Sequence, residues 1–167
     1  MATIIERRTV PLKADAFERV LSAFAVVLIA AVAAALVRGQ AQWHAVPAMV
    51  WAHIATILVA LTLTPVILLG RRGDTRHRQL GRIWVAAMLL TAALSFGIRF
   101  ADPGGFSLIH ILSLWVLIQA PLLWYTARTH QVARHRRSVR GLVTGALLIA
   151  GFFTFPFDRM LGHWLFG

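Results

Sequence analysis

The stretch VPAMVWAHIATILVALTLTPVILLG, residues 46–70, decides the fold, because it is an almost unbroken run of apolar side chains. A helix needs about 20 predominantly apolar residues to cross a bilayer. Backbone groups in lipid must be hydrogen-bonded within the protein, and a helix achieves this within one segment. Four further runs of this kind predict an all-α integral membrane protein with five transmembrane helices at Val20–Val37, Val46–Gly70, Ile83–Ile98, Phe106–Ala127 and Gly141–Phe157.

Composition supports this fold class. The chain is 59% hydrophobic and only 14% charged, with a mean hydropathy of +0.72, which excludes an ordinary soluble domain. Acidic residues number six and none lies in a predicted span, so a carboxylate relay inside the membrane is not expected. Asp15 is a predicted N-cap for the first helix. The chain has no cysteine, so disulfides and thiolate chemistry are excluded.

Basic residues predict the orientation. Fourteen of the 17 Lys and Arg residues precede the first span or lie in the second-to-third and fourth-to-fifth connections; only Arg38, Arg99 and Arg159 lie on the other side. The positive-inside rule then predicts a multi-pass protein of the bacterial inner membrane with a cytoplasmic N-terminus and a periplasmic C-terminus. The basic connections would contact anionic membrane lipids. They lack interleaved aromatic residues, so nucleic acid is not an expected partner.

Two parts of the chain repeat each other. His53-Ile54, Pro65 and the motif at residues 76–82 recur as His110-Ile111, Pro121 and the motif at residues 134–140, each with the pattern Arg-His-Arg-x-x-x-Arg. The last four helices are therefore predicted to be a duplicated helical hairpin that forms a bundle, with repeats at about 46–100 and 106–160. The predicted organisation is a cytoplasmic segment at 1–19, the first helix and outer loop at 20–45, and the four-helix bundle at 46–167.

The repeat gives two intramembrane histidines equivalent positions. His53 and His110 would lie roughly 10 Å and 6 Å below the outer ends of their helices, at about 1.5 Å per residue. Two imidazoles at similar depth predict the axial ligands of haem b, with Arg99, Arg38 or Arg159 as partners for the outward-facing propionates. In the alternative, each histidine only forms interhelical hydrogen bonds. A third interpretation is copper or zinc bound by His44, His53, His110 and His163.

The functional expectation is a haem-b electron-transfer protein or subunit that serves a protein partner or a quinone. The prolines at 65 and 121 would kink their helices and open space for such a flat molecule. The alternative is a non-catalytic accessory subunit of a larger respiratory or photosynthetic membrane complex. His77 and His135, at the basic ends of their helices, are expected to serve loop packing or lipid contact.

From His53 to Gly167 the chain resembles the bacterial membrane proteins of the domain of unknown function 2306 family. The resemblance lies in His53 on an early helix, Arg-His-Arg-x-Leu-Gly-Arg at 76–82, Gly-Gly-Phe-Ser-x-Ile-His at 104–110, His-Arg-Arg at 135–137 and Leu-Phe-Gly at 165–167. It implies a fold and a topology, and it implies no particular activity.

The charge distribution makes the orientation testable. We expect a reporter fused after Gly167 to be active only outside the cytoplasm, because the positive-inside rule keeps the fourteen basic residues inside. Alkaline phosphatase and green fluorescent protein fusions at this position make a complementary pair. A cytoplasmic C-terminus would contradict the orientation and the assumed depth of His53 and His110.

Overall fold

A computed structural model describes residues 13–98, 108–156 and 159–167, and 84% of these residues are helical. Several predicted features lie outside the described residues: most of the N-terminal segment 1–19, Arg99, the motif at 104–107 and the predicted end of the fifth span at Phe157.

Seven α-helices account for the described residues. Helix α1 is Ala16–Arg38, α2 is Ala48–Leu69, α3 is Thr75–Ser95 and α4 is Leu108–Arg128. Helix α5, Val132–Leu142, runs through a π-helical segment, Val143–Ile149, into α6, Ala150–Phe152. A 3-10 helix, Gln40–Ala45, follows α1, and a short α7, Met160–Phe166, ends the chain.

Three helices of the described part are long and apolar enough to cross a membrane: α1, α2 and residues 110–128 of α4. They coincide with the first, second and fourth predicted spans. The third and fifth predicted spans, and the duplication of the hairpin, stay predictions. Helix α3 differs because its first two turns carry the basic motif that was expected to lie in a connection. Helix α5 likewise begins with the second basic motif.

The helices pack in a closed ring. Each of α1 to α4 contacts the next helix in the chain, and the π segment after α5 contacts α1. Helix α1 therefore packs against the helices of the region 46–167. Apolar side chains fill the centre, with Ala25, Leu61, Met88, Ala120 and Leu147 almost fully buried.

Helix α3 is joined to its neighbours by side-chain hydrogen bonds. Its buried Trp84 donates Nε1–H to the Thr64 hydroxyl of α2 at 3.0 Å, and Thr91 bonds the Thr56 hydroxyl at 2.8 Å. On its other side, the Ser95 hydroxyl meets Ser113 of α4. Polar contacts of this kind hold helices together where apolar surface alone gives no preference for a partner.

The C-terminal helix α7 packs against the end of α1. Trp164 lies against Gly39 so closely that an added Cβ there would be 2.0 Å from its ring, and its Nε1–H donates to the Gln42 side chain at 2.8 Å. The basic end of the bundle is the one that carries the start of α1 and the α2–α3 and α4–α5 connections. We call the other end, where α7 packs against α1, the opposite end.

The Trp84–Thr64 bond generates a stability prediction. Replacing Thr64 with Val keeps the volume but leaves the buried indole N–H of Trp84 without its acceptor, so we expect a loss of about 1 kcal/mol. The matched control is Thr62→Val on the same helix, because Thr62 is exposed and its hydroxyl bonds only the Leu58 carbonyl. Thermal unfolding in detergent would measure both, and equal stability of the two variants would contradict the assigned role.

Candidate functional site

The basic end is organised around the first turn of α1. Asp15 is the N-cap, as predicted, and its carboxylate accepts the Glu18 backbone N–H at 3.0 Å. The Glu18 carboxylate accepts the Asp15 backbone N–H in return at 3.1 Å, which completes a capping box. The hydrogen bond from the Glu18 backbone, with further help from Arg140, holds the pKa of Asp15 below its usual range.

Glu18 is almost fully buried, at 1% exposure, and three arginines converge on it. Arg136 of α5 contributes two hydrogen bonds, Nε–H to Oε1 at 2.7 Å and a terminal N–H to Oε2 at 3.1 Å. Arg140, one turn later, bonds Oε1 at 3.1 Å, and Arg72 from the α2–α3 connection pairs with Oε2. Arg136 and Arg140 also pair with Asp15. We call these five residues the Glu18 cluster.

The sequence analysis did not single out Glu18. The signal was present, since an acid three residues after the N-cap Asp15 is a capping-box pattern. Glu18 also shares a helix face with Leu21, Ser22 and Ala25, which are buried against the bundle. An acid on the buried face of an apolar helix requires cationic partners, and the basic motifs of the α2–α3 and α4–α5 regions supply them.

A cavity of about 500 Å³ opens at the basic end of the ring, beside the Glu18 cluster. Its walls come from α1 to α5 and from the two basic connections. The deeper wall is apolar and aromatic, with Leu68, Trp84, Leu123 and Val143 buried there. The mouth is basic and is lined by Arg72, Arg78, Arg82, Arg128 and Arg136. This volume is in the range of small-molecule sites.

Two histidines line this cavity, and they are the repeat-related pair His77 and His135. Both lie in the first turns of their helices, as expected from the sequence. Burial lowers the pKa of each, and for His77 the nearby His135 lowers the pKa further. Both imidazoles are therefore neutral at pH 7. The His135 Nδ1–H donates to the Leu123 carbonyl at 3.3 Å, which leaves Nε2 as an acceptor.

Several polar groups that line this cavity lack either a hydrogen-bonding partner or a carboxylate partner among the described residues. Nδ1 of His77 is buried and has no hydrogen-bond partner among the described residues. Arg78 and Arg82 are one turn apart on α3, and Arg128 ends α4 with its guanidinium 5.3 Å from the Trp124 ring centre. All the ion pairs that join two described residues involve Asp15 or Glu18, so none of these three arginines has a carboxylate partner in the described part of the chain. Among the described residues, the mouth of the cavity therefore carries three arginines without a carboxylate partner.

The predicted haem ligands lie against α3 and its C-cap residue, Phe96. His53 Nδ1–H donates to the Thr91 carbonyl at 3.1 Å, and the buried ring of His110 lies 5.7 Å from the Phe96 ring centre. Fixing Nδ1–H on a backbone carbonyl leaves Nε2 of His53 available, which is how ligating histidines are held. Arg99, predicted beside them, lies outside the described residues. The haem assignment stays a prediction.

The copper or zinc interpretation required His44, His53, His110 and His163 to converge. Within the described ranges, which include all four, no group of three or more His, Cys, Asp or Glu side chains is placed to hold a metal ion. His44 lies in the 3-10 helix and His163 is exposed on α7, whereas His53 and His110 lie against α3.

No protein-family model, curated protein or solved structure matches the chain. The resemblance to the domain of unknown function 2306 family therefore rests on the motifs quoted above. Any assignment of function has to come from the residues of the site.

The Glu18 cluster gives a prediction about stability. Glu18→Gln keeps a residue that can complete the capping box but removes the charge among three arginines, so we expect a loss of about 3 kcal/mol or more. Asp74→Asn is the matched control, since it removes one charge at an exposed N-cap that Asn also fills. Thermal unfolding in detergent would compare them. A Glu18→Gln variant as stable as this control would contradict the role of the cluster.

Proposed function

We propose that this protein is a five-span inner-membrane protein that binds an amphiphile with an anionic head group at its cytoplasmic end. The single observation that carries the proposal is the cavity of about 500 Å³ with an apolar wall and a basic mouth. In the predicted orientation the basic end faces the cytoplasm, so this mouth lies at the depth of the inner-leaflet head groups. A protein partner would supply any soluble catalytic domain.

The positive charge at the mouth of the cavity supports an anionic ligand. Arg136 and Arg72 at the mouth already pair with Glu18, but Arg78, Arg82 and Arg128 have no such acid among the described residues. Guanidinium groups form paired hydrogen bonds with phosphate and carboxylate oxygens, and these bonds are stronger than those between neutral groups. A head group bearing either anion would offset part of the positive charge of the mouth.

The apolar wall of the cavity supports a ligand that also has an apolar part. Leu68, Leu123 and Val143 are buried, and the indoles of Trp84 and Trp124 add flat apolar surface. A free inorganic anion would leave this surface without contact. The π segment begins at Val143, on the cavity wall, and π-helical turns inside α-helices are frequent at functional sites.

Haem b between His53 and His110 is the second candidate, because the bond from His53 to the Thr91 carbonyl leaves Nε2 in the state that a ligand requires. The two proposed sites lie in different parts of the bundle. Residues 53 and 110 are at the start of α2 and α4, whereas the cavity is formed at the ends of these helices and the starts of α3 and α5. One protein could contain both sites.

Binding of lipids to the purified protein tests the first proposal. We expect dioleoyl phosphatidylglycerol to bind more tightly than dioleoyl phosphatidylcholine in native mass spectrometry. Replacing Arg78, Arg82 and Arg128 together with Gln should weaken phosphatidylglycerol by at least about tenfold. The matched control replaces Arg71, Arg76 and Arg137, which carry the same charge on the same side but do not line the cavity. Equal losses in both triple variants would show general attraction to the basic end and contradict the site.

Absorption spectroscopy tests the second candidate, haem b. If His53 and His110 ligate one haem, replacing either with Ala should abolish or severely weaken low-spin b-type absorbance, because one imidazole cannot supply both axial ligands. If they only form hydrogen bonds, the same changes should cost about 1 kcal/mol or less and leave every spectrum unchanged. Replacing His77 and His135 with Asn should leave such a haem in place, and its loss would assign the haem to the basic end.

A further inference from the structure

We propose that the head group held in this cavity is a phosphate monoester, carried by a membrane lipid with phosphatidic acid chemistry. The inference rests on the proposed function and names its ligand class. It depends on two features of the cavity: three guanidinium groups without carboxylate partners at the mouth, and a neutral imidazole acceptor behind them.

The arginines fit the charge and shape of a monoester. Arg78 and Arg82 approach from α3 and Arg128 approaches from the end of α4, so cations come from two helices. A terminal phosphate has three unsubstituted oxygens and up to two negative charges. A phosphodiester has two unsubstituted oxygens and one charge, and its second substituent occupies a side from which a guanidinium would approach.

His135 adds the second requirement. Its Nδ1–H is committed to the Leu123 carbonyl, so the neutral ring offers Nε2 to the cavity only as an acceptor. A fully ionised phosphate offers oxygens that are acceptors too. A phosphate monoester has a second ionisation near pH 6, so near neutrality a minority form keeps one O–H, which can donate to this nitrogen while its two other unsubstituted oxygens share one negative charge towards the arginines. A diester has no such proton.

His77 indicates that the cavity is built to hold a polar group. It lines the same wall, close enough to His135 for the two rings to interact, and its Nδ1 is buried without a partner in the part of the chain that the structure describes. This atom has almost no accessible surface, so a ligand in the cavity would contact the ring at its other nitrogen, Nε2, next to His135. Buried polar groups in proteins are nearly always hydrogen-bonded, and the oxygens and hydroxyl of a phosphate would supply partners for these imidazoles.

The lipid source follows from the apolar wall, which an acyl chain can cover and a soluble phosphate cannot. Arg72 and Arg136 are already paired with Glu18, whereas Arg78, Arg82 and Arg128 have no carboxylate partner among the described residues and can pair with the ligand. Asp74, the N-cap of α3, accepts the His77 backbone N–H at 2.7 Å and is not among the residues that line the cavity. The head group would therefore meet arginines and histidines before it meets an acid other than Glu18.

The experiment compares two lipids that differ by one methyl group. Dioleoyl phosphatidic acid is the monoester, and dioleoyl phosphatidylmethanol is the matched diester with no hydroxyl to donate. Native mass spectrometry of the full chain in detergent would measure both at pH 6.5, where about a quarter of a free monoester keeps its O–H and His135, whose pKa burial lowers, is mainly neutral. We expect phosphatidic acid to bind about tenfold more tightly, the usual size of one charge-assisted hydrogen bond. Inorganic phosphate and glycerol 3-phosphate in large excess should displace neither lipid.

The variant that isolates the imidazole is His135→Asn, because the Asn amide can still donate to the Leu123 carbonyl but has no counterpart of Nε2. We expect it to bind phosphatidic acid and phosphatidylmethanol equally, with unchanged affinity for the diester showing an intact fold. His77→Asn, which breaks no side-chain bond seen among the described residues, should also reduce the preference. His44→Asn, in the exposed 3-10 helix, should retain the full preference.

Each other outcome has a distinct meaning. Equal binding of the two lipids by the unmodified protein would overturn the monoester assignment and leave the anionic site standing. A full preference in both His135→Asn and His77→Asn would overturn it as well. Displacement of the lipid by inorganic phosphate or glycerol 3-phosphate would overturn the lipid source. If neither lipid binds more tightly than phosphatidylcholine, the proposed function itself fails.

Discussion

The buried carboxylate of Glu18 is the interaction on which the arrangement of the basic end depends. It joins the start of α1 to Arg72, which follows α2, and to Arg136 and Arg140 on α5. A charge removed from water is tolerated only when partners and hydrogen bonds compensate it. Glu18 and its arginines therefore fix where α1 begins relative to α5, and this contact helps to close the ring of helices.

The cavity is a consequence of that closure. Helix α1 contacts the π segment farther along the bundle, while at the basic end the Glu18 cluster bridges α1 and α5 with long arginine side chains. Glu18, Arg72 and Arg136 of this cluster also line the cavity. The space is bounded by Trp84, whose indole is fixed by Thr64, and by Leu123, whose carbonyl fixes His135. Rigid walls of this kind preorganise a binding site.

The histidines at the two ends of the bundle have different surroundings. His53 and His135 use Nδ1–H in the same way, each donating to a backbone carbonyl of a neighbouring helix. Their surroundings differ, because His135 lines a cavity with a basic mouth whereas His53 lies against α3 among threonines. The repeat in the sequence identified both pairs of histidines, but it could not show which pair adjoins open space, since that depends on how the helices pack.

Sequence patterns established the helical class, three apolar helices long enough to cross a membrane, the N-cap at Asp15 and the positions of His77 and His135 at helix starts. These features are local, because they follow from hydrophobic length and from residues within one or two turns. The pairing of Glu18 with residues 54 to 122 positions away, the inclusion of α1 in the ring and the cavity are properties of tertiary structure. They arise from which faces of distant helices meet, and no local pattern specifies that choice.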